Sequence, residues 1–198
     1  MPPQVTRVLI IGHSFIERLR RHIVNNVYPD FSPNLGLNDL GVRVNFLGFS
    51  GGNIFTLLDD VTRLKSCMEA FPADIVILQI GGNDIDKIDF NVDLYKASVR
   101  QFIFQLQELY NVKKVVVCEI FPRFKLRTTS ISDYHLLRDR INLDFYLEFF
   151  HSQTVHFWRH YEGLMSERKL FLRDCVHLNF EGTYKFCRSL RGAILSLL

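Results

Sequence analysis

The sequence predicts a three-layer α/β/α sandwich: a parallel five-stranded sheet wound with helices on both faces. Two observations carry this. The apolar runs Val8-Leu9-Ile10-Ile11, Ile75-Val76-Ile77-Leu78-Gln79-Ile80 and Val115–Ile120 are continuous rather than alternating. Such strands need burial on both faces, which a parallel sheet covered by helices supplies. Between the runs lie amphipathic segments long enough to serve as crossover helices. Right-handed crossovers place those helices on both sides of the sheet and leave ligands to bind at the carboxyl ends of the strands.

The elements follow in order. Val8–Ile11 is the first strand; it leads through Gly12-His13-Ser14 into a helix from Phe15 to about Val24, with Phe15, Ile16, Leu19 and Ile23 on one face. Turn residues from Pro29 to Gly41 mark a loop, and Val42–Leu47 alternates as the second strand. Gly48-Phe49-Ser50-Gly51-Gly52-Asn53 opens a helix that presents Ile54, Leu57, Leu58, Val61 and Leu64 on one side. Ile75–Ile80 is the third strand, about Val92 to Tyr110 a long helix, and Val115–Ile120 the fourth strand. After the loop Phe121–Thr129 come a helix from about Ser132 to Phe150, a short strand at Thr154–Trp158 and a closing helix, Phe180–Leu198. No repeat, low-complexity tract or linker interrupts the series, so residues 1–198 are expected to form one domain of the flavodoxin-like kind.

Bulk properties narrow the class. Across 198 residues, 47% apolar and 23% charged content exclude a disordered chain, and a formal charge of +3 is too small to argue for nucleic acid by itself. Cys67, Cys118, Cys175 and Cys187 show no paired metal-ligand spacing and read as reduced thiols. Met1-Pro-Pro-Gln runs almost at once into a strand, without the pattern of a cleavable signal, and no apolar stretch approaches the roughly 18 residues of a membrane span. An intracellular setting is the expectation.

Four polar residues, far apart in the chain, sit in the settings an acyl-transfer site needs. Ser14 emerges at the end of a buried strand, beside a helix start. Asn83 follows the third strand in Gly81-Gly82-Asn83-Asp84, and Asp174 and His177 stand three apart before the last helix. A nucleophile, its base, an orienting carboxylate and an oxyanion donor must come from different strand ends to meet at one point. Each has a bland alternative. Ser14 suits a helix N-cap, Asn83 and Asp84 a turn cap, Asp174 a turn, and His177 a surface loop.

Taken together, Gly12-His13-Ser14, Ser50-Gly51-Gly52-Asn53, Gly81-Gly82-Asn83-Asp84 and Asp174-Cys175-Val176-His177 resemble the four blocks of the SGNH hydrolases, the GDSL-type esterases. The resemblance spans nearly the whole chain. It implies Ser14 as nucleophile, His177 as base through Nε2, and Asp174 as the carboxylate holding Nδ1–H. It also implies an oxyanion hole from the N–H groups of Ser14 and Gly51 and the Asn83 amide, with Gly52 as an adjacent rival to Gly51. No cofactor or metal is implied; the partner is a small acyl-ester substrate, hydrolysed through an acyl-enzyme. His13 stands where the first block usually has Asp, and Leu178 where proline is common. In size and reduced-cysteine setting the chain is similar to the esterase domains in first open-reading-frame proteins of some LINE-type retrotransposons.

The alternative reading is a hydrolase fold kept as a binding module for nucleic acid or a membrane. His13, the basic run Arg123-Phe124-Lys125-Leu126-Arg127 and the aromatic segment Leu143–Phe150 motivate it. That basic run reads as a solvated loop, the alternative being an overhang of the pocket that grips an acidic substrate, phospholipid headgroups or RNA phosphates; Arg18, Arg20 and Arg21 read as a solvated helix face. Core packing accounts for most of the aromatic segment. His156 and His160 read as structural, and Cys175 as a bystander facing away from His177.

Overall fold

The computed structural model describes residues 5–25 and 32–198. The first residues of the loop expected at Pro29–Gly41, and the Met1-Pro-Pro-Gln start, lie outside the described residues. The strands are β1 (Thr6–Gly12), β2 (Val42–Gly48), β3 (Ile75–Gln79), β4 (Lys114–Cys118) and β5 (Val155–Trp158). The helices are α1 (Ser14–Val24), α2 (Ile54–Asp59), α3 (Val61–Ala70), α4 (Gly82–Ile85), α5 (Val92–Tyr110), α6 (Ile131–Phe149), α7 (Glu162–Ser166) and α8 (Phe180–Leu195). Every strand pairing is parallel, in the order β2-β1-β3-β4-β5. This is the flavodoxin-like order, in which the connections run in opposite directions from β1 and open a crevice at the strand ends.

Continuous apolar strands are buried on both faces, as their pattern requires. Leu9 and Ile11 of β1, Val76 and Leu78 of β3, and Val115 and Val117 of β4 face a core closed by α2, α3, α5 and α6. Their neighbours Val8, Ile10, Ile75, Ile77, Val116 and Cys118 face the opposite core, closed by α1 and α8. The site thus stands on strands that cannot shift without emptying one core or the other. Polar caps fix where helices begin: Asn91 accepts from Leu94 N–H at α5, Ser130 from Asp133 N–H at α6, and Asn179 from Gly182 N–H at α8.

Two expectations need revision. The single helix foreseen after Asn53 is two helices, because the Asp60 side chain accepts from Arg63 N–H and caps a new start. A side chain that bonds its own backbone in this way competes with helix continuation. Val61 then falls in the first turn of α3 and is exposed, while Ile54, Leu57 and Leu64 stay in the core. In α6, Phe145 and Phe149 pack inward, whereas Leu143, Leu147 and, just past its end, Phe150 are exposed. Core packing therefore accounts for only part of that aromatic run.

Candidate active site

Three loops at the carboxyl ends of β1, β2 and β3 converge with the loop before α8. Gly12, the last residue of β1, admits no side chain: a Cβ there would stand 2.3 Å from the Gln79 carbonyl oxygen. The close approach of β1 and β3 lets the chain turn through His13 so that Ser14 is the first residue of α1. Its N–H is accordingly one of those with no acceptor within the helix.

Ser14 Oγ lies 3.0 Å from His177 Nε2, across 163 positions of sequence. The same ring's Nδ1 lies 2.8 Å from Asp174 Oδ2. A carboxylate can only accept there, so Nδ1 carries the hydrogen and Nε2 is left to accept from the Ser14 hydroxyl. The local turn makes the pair. Cys175 takes a left-handed conformation, φ +63°, which folds Asp174 back so that its Oδ1 receives the N–H groups of Val176 and His177 at 3.0 and 2.9 Å. Burial pushes the Asp174 carboxyl up, but those two N–H groups and the imidazole outweigh it and hold the pKa down at about 2. The Cys175 thiol is occupied elsewhere, on the Arg168 guanidinium at 2.7 Å.

On the opposite side, Gly51 has φ +72° and an ideal Cβ would meet nothing within 4 Å. Gly52 differs in both respects that matter. A Cβ there would strike Phe49 Cβ at 2.6 Å, and its N–H already donates to the Phe49 carbonyl at 3.0 Å. Gly52 is thus a packing glycine, while Gly51 lines the cleft. Asn83, in the first turn of α4, donates from Nδ2 to the Gly52 carbonyl at 2.7 Å. Its neighbour Asp84 is buried and accepts from Ile54 N–H at 3.0 Å, which ties α4 to the start of α2. The Asp84 Oδ2 has no hydrogen-bond partner among the described residues, and burial pushes the carboxyl up to about 6.

The cleft above these groups measures about 830 Å³ and includes Ser14, Gly51, Asn83, Asp174 and His177. All five residues singled out in the sequence therefore meet at one cavity. Two that sequence reasoning missed stand beside them. Arg123 is not solvated: only 4% of it is exposed, and it donates to Asn83 Oδ1 at 2.6 Å. Its second contact is Asp86, at 3.5 Å, whose carboxylate also receives the backbone N–H groups of Arg127 and Thr128. The basic loop is thereby anchored over α4 instead of lying free in solvent. In the sequence, Arg123 gave no stronger signal than Lys125 or Arg127; what separates them is the fold of the loop.

His13 is buried and its Nδ1 has no partner among the described residues. Burial, with Arg123 and His177 adding to it, pushes its pKa down to about 3. The residue that replaces the expected Asp is therefore a neutral ring, packed on Phe15 with centroids 4.9 Å apart. His160 is also neutral, pushed to about 3 by burial. Its nitrogens lie 2.8 Å from Ser189 Oγ and 2.8 Å from Gln79 Oε1, so neither is left for a metal.

No family model and no curated protein matches the chain. Solved structures do. A GDSL-like lipase from Bacteroides thetaiotaomicron superposes with a TM-score of 0.65 at 18% identity, covering 98% of this chain and 89% of its own. A family 3 carbohydrate esterase from Clostridium thermocellum gives 0.67 at 17% identity, covering 98% of each chain. One from Talaromyces cellulolyticus gives 0.69 at 15%, again covering 98% of each. The chain has the SGNH hydrolase-type fold. In this fold the four sequence blocks occupy the ends of β1, β2 and β3 and the loop before α8. Among the described residues, no helix is long and apolar enough to cross a membrane.

Proposed function

We propose that this chain, as one domain, is a serine esterase that removes short acyl groups from small esters through an acyl-enzyme. The observation that carries the reading is the unbroken hydrogen-bond chain Ser14–His177–Asp174, set against the Asn83 amide in one cleft. Its neighbours in fold are lipases and carbohydrate esterases.

In this mechanism Ser14 Oγ attacks the acyl carbon while His177 Nε2 takes the hydroxyl proton. The carbonyl double bond opens to a tetrahedral oxyanion, which the N–H groups of Ser14 and Gly51 and the Asn83 Nδ2 stabilise. Gly51 serves here rather than Gly52, whose N–H is already engaged. Asn83 Nδ2 gives one hydrogen to Gly52 and keeps the other for the oxyanion. As the intermediate collapses, the bond to the leaving alcohol breaks and His177 returns its proton to that alcohol. Water then attacks the acyl-Ser14 ester by the same route in reverse, releasing the acid. Asp174, ionised throughout, orients the ring and stabilises its cationic form.

Turnover of an aryl acetate by the purified chain tests the reading. Wild-type hydrolysis no faster than that of Ser14→Ala removes it. A second reading, the fold retained as a binding module, draws on His13 in place of the expected Asp and on the basic loop Arg123–Arg127 beside the cleft. A fluorophosphonate that labels Ser14 supports the enzyme; no labelling together with salt-sensitive RNA or anionic-liposome binding supports the module.

A further inference from the structure

The cleft over Ser14 carries more positive charge than acyl transfer calls for. Arg18 and Arg21 of α1 line it, as do Arg123, Lys125 and Arg127 from the loop after β4, against three carboxylates. Those carboxylates are already committed. Glu17 receives the guanidinium groups of Arg20 and Arg21, Asp86 those of Arg123 and Arg127, and Asp174 the His177 ring. Arg18 and Lys125 are exposed, and neither makes a hydrogen bond or ion pair with a described residue. Arg127 spends Nε on Asp86 and remains 69% exposed, leaving the rest of its guanidinium to solvent. Among the described residues, five cations against three anions leave an excess of two, supplied by separate elements that border one cavity.

Cavity size sharpens the point. A volume of about 830 Å³ far exceeds what an acetyl group fills, so most of the space belongs to the remainder of the substrate. Walls of one charge sign focus the field inside such a cleft and raise the local concentration of oppositely charged molecules. We infer that the ester taken by this site carries a negative group, a carboxylate or a phosphate, near the scissile bond. The inference rests on the esterase reading above. Arginine and lysine together suit either anion, through charge-assisted hydrogen bonds.

Two matched pairs of esters test it. p-Nitrophenyl hemisuccinate against p-nitrophenyl butyrate places the charge on the acyl side. 3-Carboxyphenyl acetate against phenyl acetate places it on the alcohol side, each corrected for its hydroxide-catalysed rate. At low ionic strength, kcat/KM for the anionic member of at least one pair is expected to exceed its neutral partner roughly tenfold. Added salt shrinks that ratio, and the double variant Arg18→Gln/Lys125→Gln brings it toward one. Equal kcat/KM within both pairs overturns the inference, as does a preference that neither salt nor the double variant moves. A binding measurement separates this failure from that of the esterase reading. Titration of Ser14→Ala with phenyl phosphate is expected to show saturable binding that weakens in the Ser14→Ala/Arg18→Gln/Lys125→Gln variant. If no ester is turned over yet phenyl phosphate binds in this way, the charge inference stands and hydrolysis falls. If it does not bind, the charge inference falls.

Discussion

Arg123 donates to Asn83 Oδ1 at 2.6 Å, and that bond decides which way the Asn83 amide faces. An arginine has no acceptor, so the atom it meets must be the oxygen, and the amide nitrogen is turned toward Gly52 and the cleft. The guanidinium also draws electron density from the amide and makes its N–H the stronger donor. Asp86 holds the arginine from behind, so the orientation is built into the loop before any substrate arrives.

Removing that clamp should therefore weaken catalysis through Asn83. In Arg123→Met, kcat is expected to fall by about 10-fold to 100-fold with little change in KM, as for loss of an oxyanion donor's support. Asn83→Ala alone should cost about 100-fold to 1000-fold. The double variant should be no slower than Asn83→Ala, because both changes remove one interaction. Fully additive losses, from steady-state kinetics on variants that keep the wild-type far-ultraviolet spectrum, would show that Arg123 acts elsewhere.

The Asp174–His177 contact makes a separate demand. Asp174→Asn leaves the turn's size intact but offers Nδ1 of the ring an amide that can donate, favouring the wrong tautomer. kcat is expected to drop by about 10⁴ while fluorophosphonate labelling of Ser14 slows in parallel. Labelling at the wild-type rate would rule out Asp174 as the orienting group.

Acid should switch the activity off through one histidine. Protonated His177 cannot receive the Ser14 proton, whereas His13 and His160 stay neutral down to about pH 3 and Asp174 stays charged down to about pH 2. The acid limb of log kcat/KM against pH should have a slope of one. Repeating the profile with Asp84→Asn removes one nearby carboxyl that changes charge in this range, and with His22→Gln a second group that lines the cleft. A limb of slope two in both variants would place a second titrating group in the mechanism.

Asp84 itself should make the fold pH-sensitive. Its folded-state value, about 6, lies above the ordinary 3.8, so the folded chain holds this proton more tightly than the unfolded chain does. Stability from this group is present below pH 4 and is lost as pH rises through 6, by on the order of 2–3 kcal/mol. Asp84→Asn keeps an oxygen for Ile54 N–H and never ionises. Denaturant unfolding at pH 4 and pH 7.5 should show wild type losing more stability than the variant over that interval; parallel losses would contradict the assignment.

How much of this was readable beforehand depended on the range of the interaction. β1, β3 and β4 were plain because burial on both faces leaves a continuous apolar run, which needs no knowledge of distant residues. Ser14, Gly51 and Asn83 were legible because turn glycines and strand ends mark them locally, and Asp174 and His177 because they stand three apart just before the last helix. The break at Asp60 was hidden, since a cap and an ordinary helical aspartate look the same in one dimension. Arg123 was hidden more deeply. Its partner Asn83 lies 40 residues earlier, and nothing near Arg123 separates an anchored guanidinium from a solvated one. The committed carboxylates and uncommitted cations of the cleft likewise emerge only after the pairs are drawn.

The Ser14–His177 bond also bears on synthesis. A chain leaving the ribosome exposes its hydroxyl 163 positions before the imidazole that completes the pair. No nascent fragment that stops short of the loop before α8 can assemble both halves. Acquisition of fluorophosphonate reactivity during translation would therefore time the moment at which that loop docks against the start of α1.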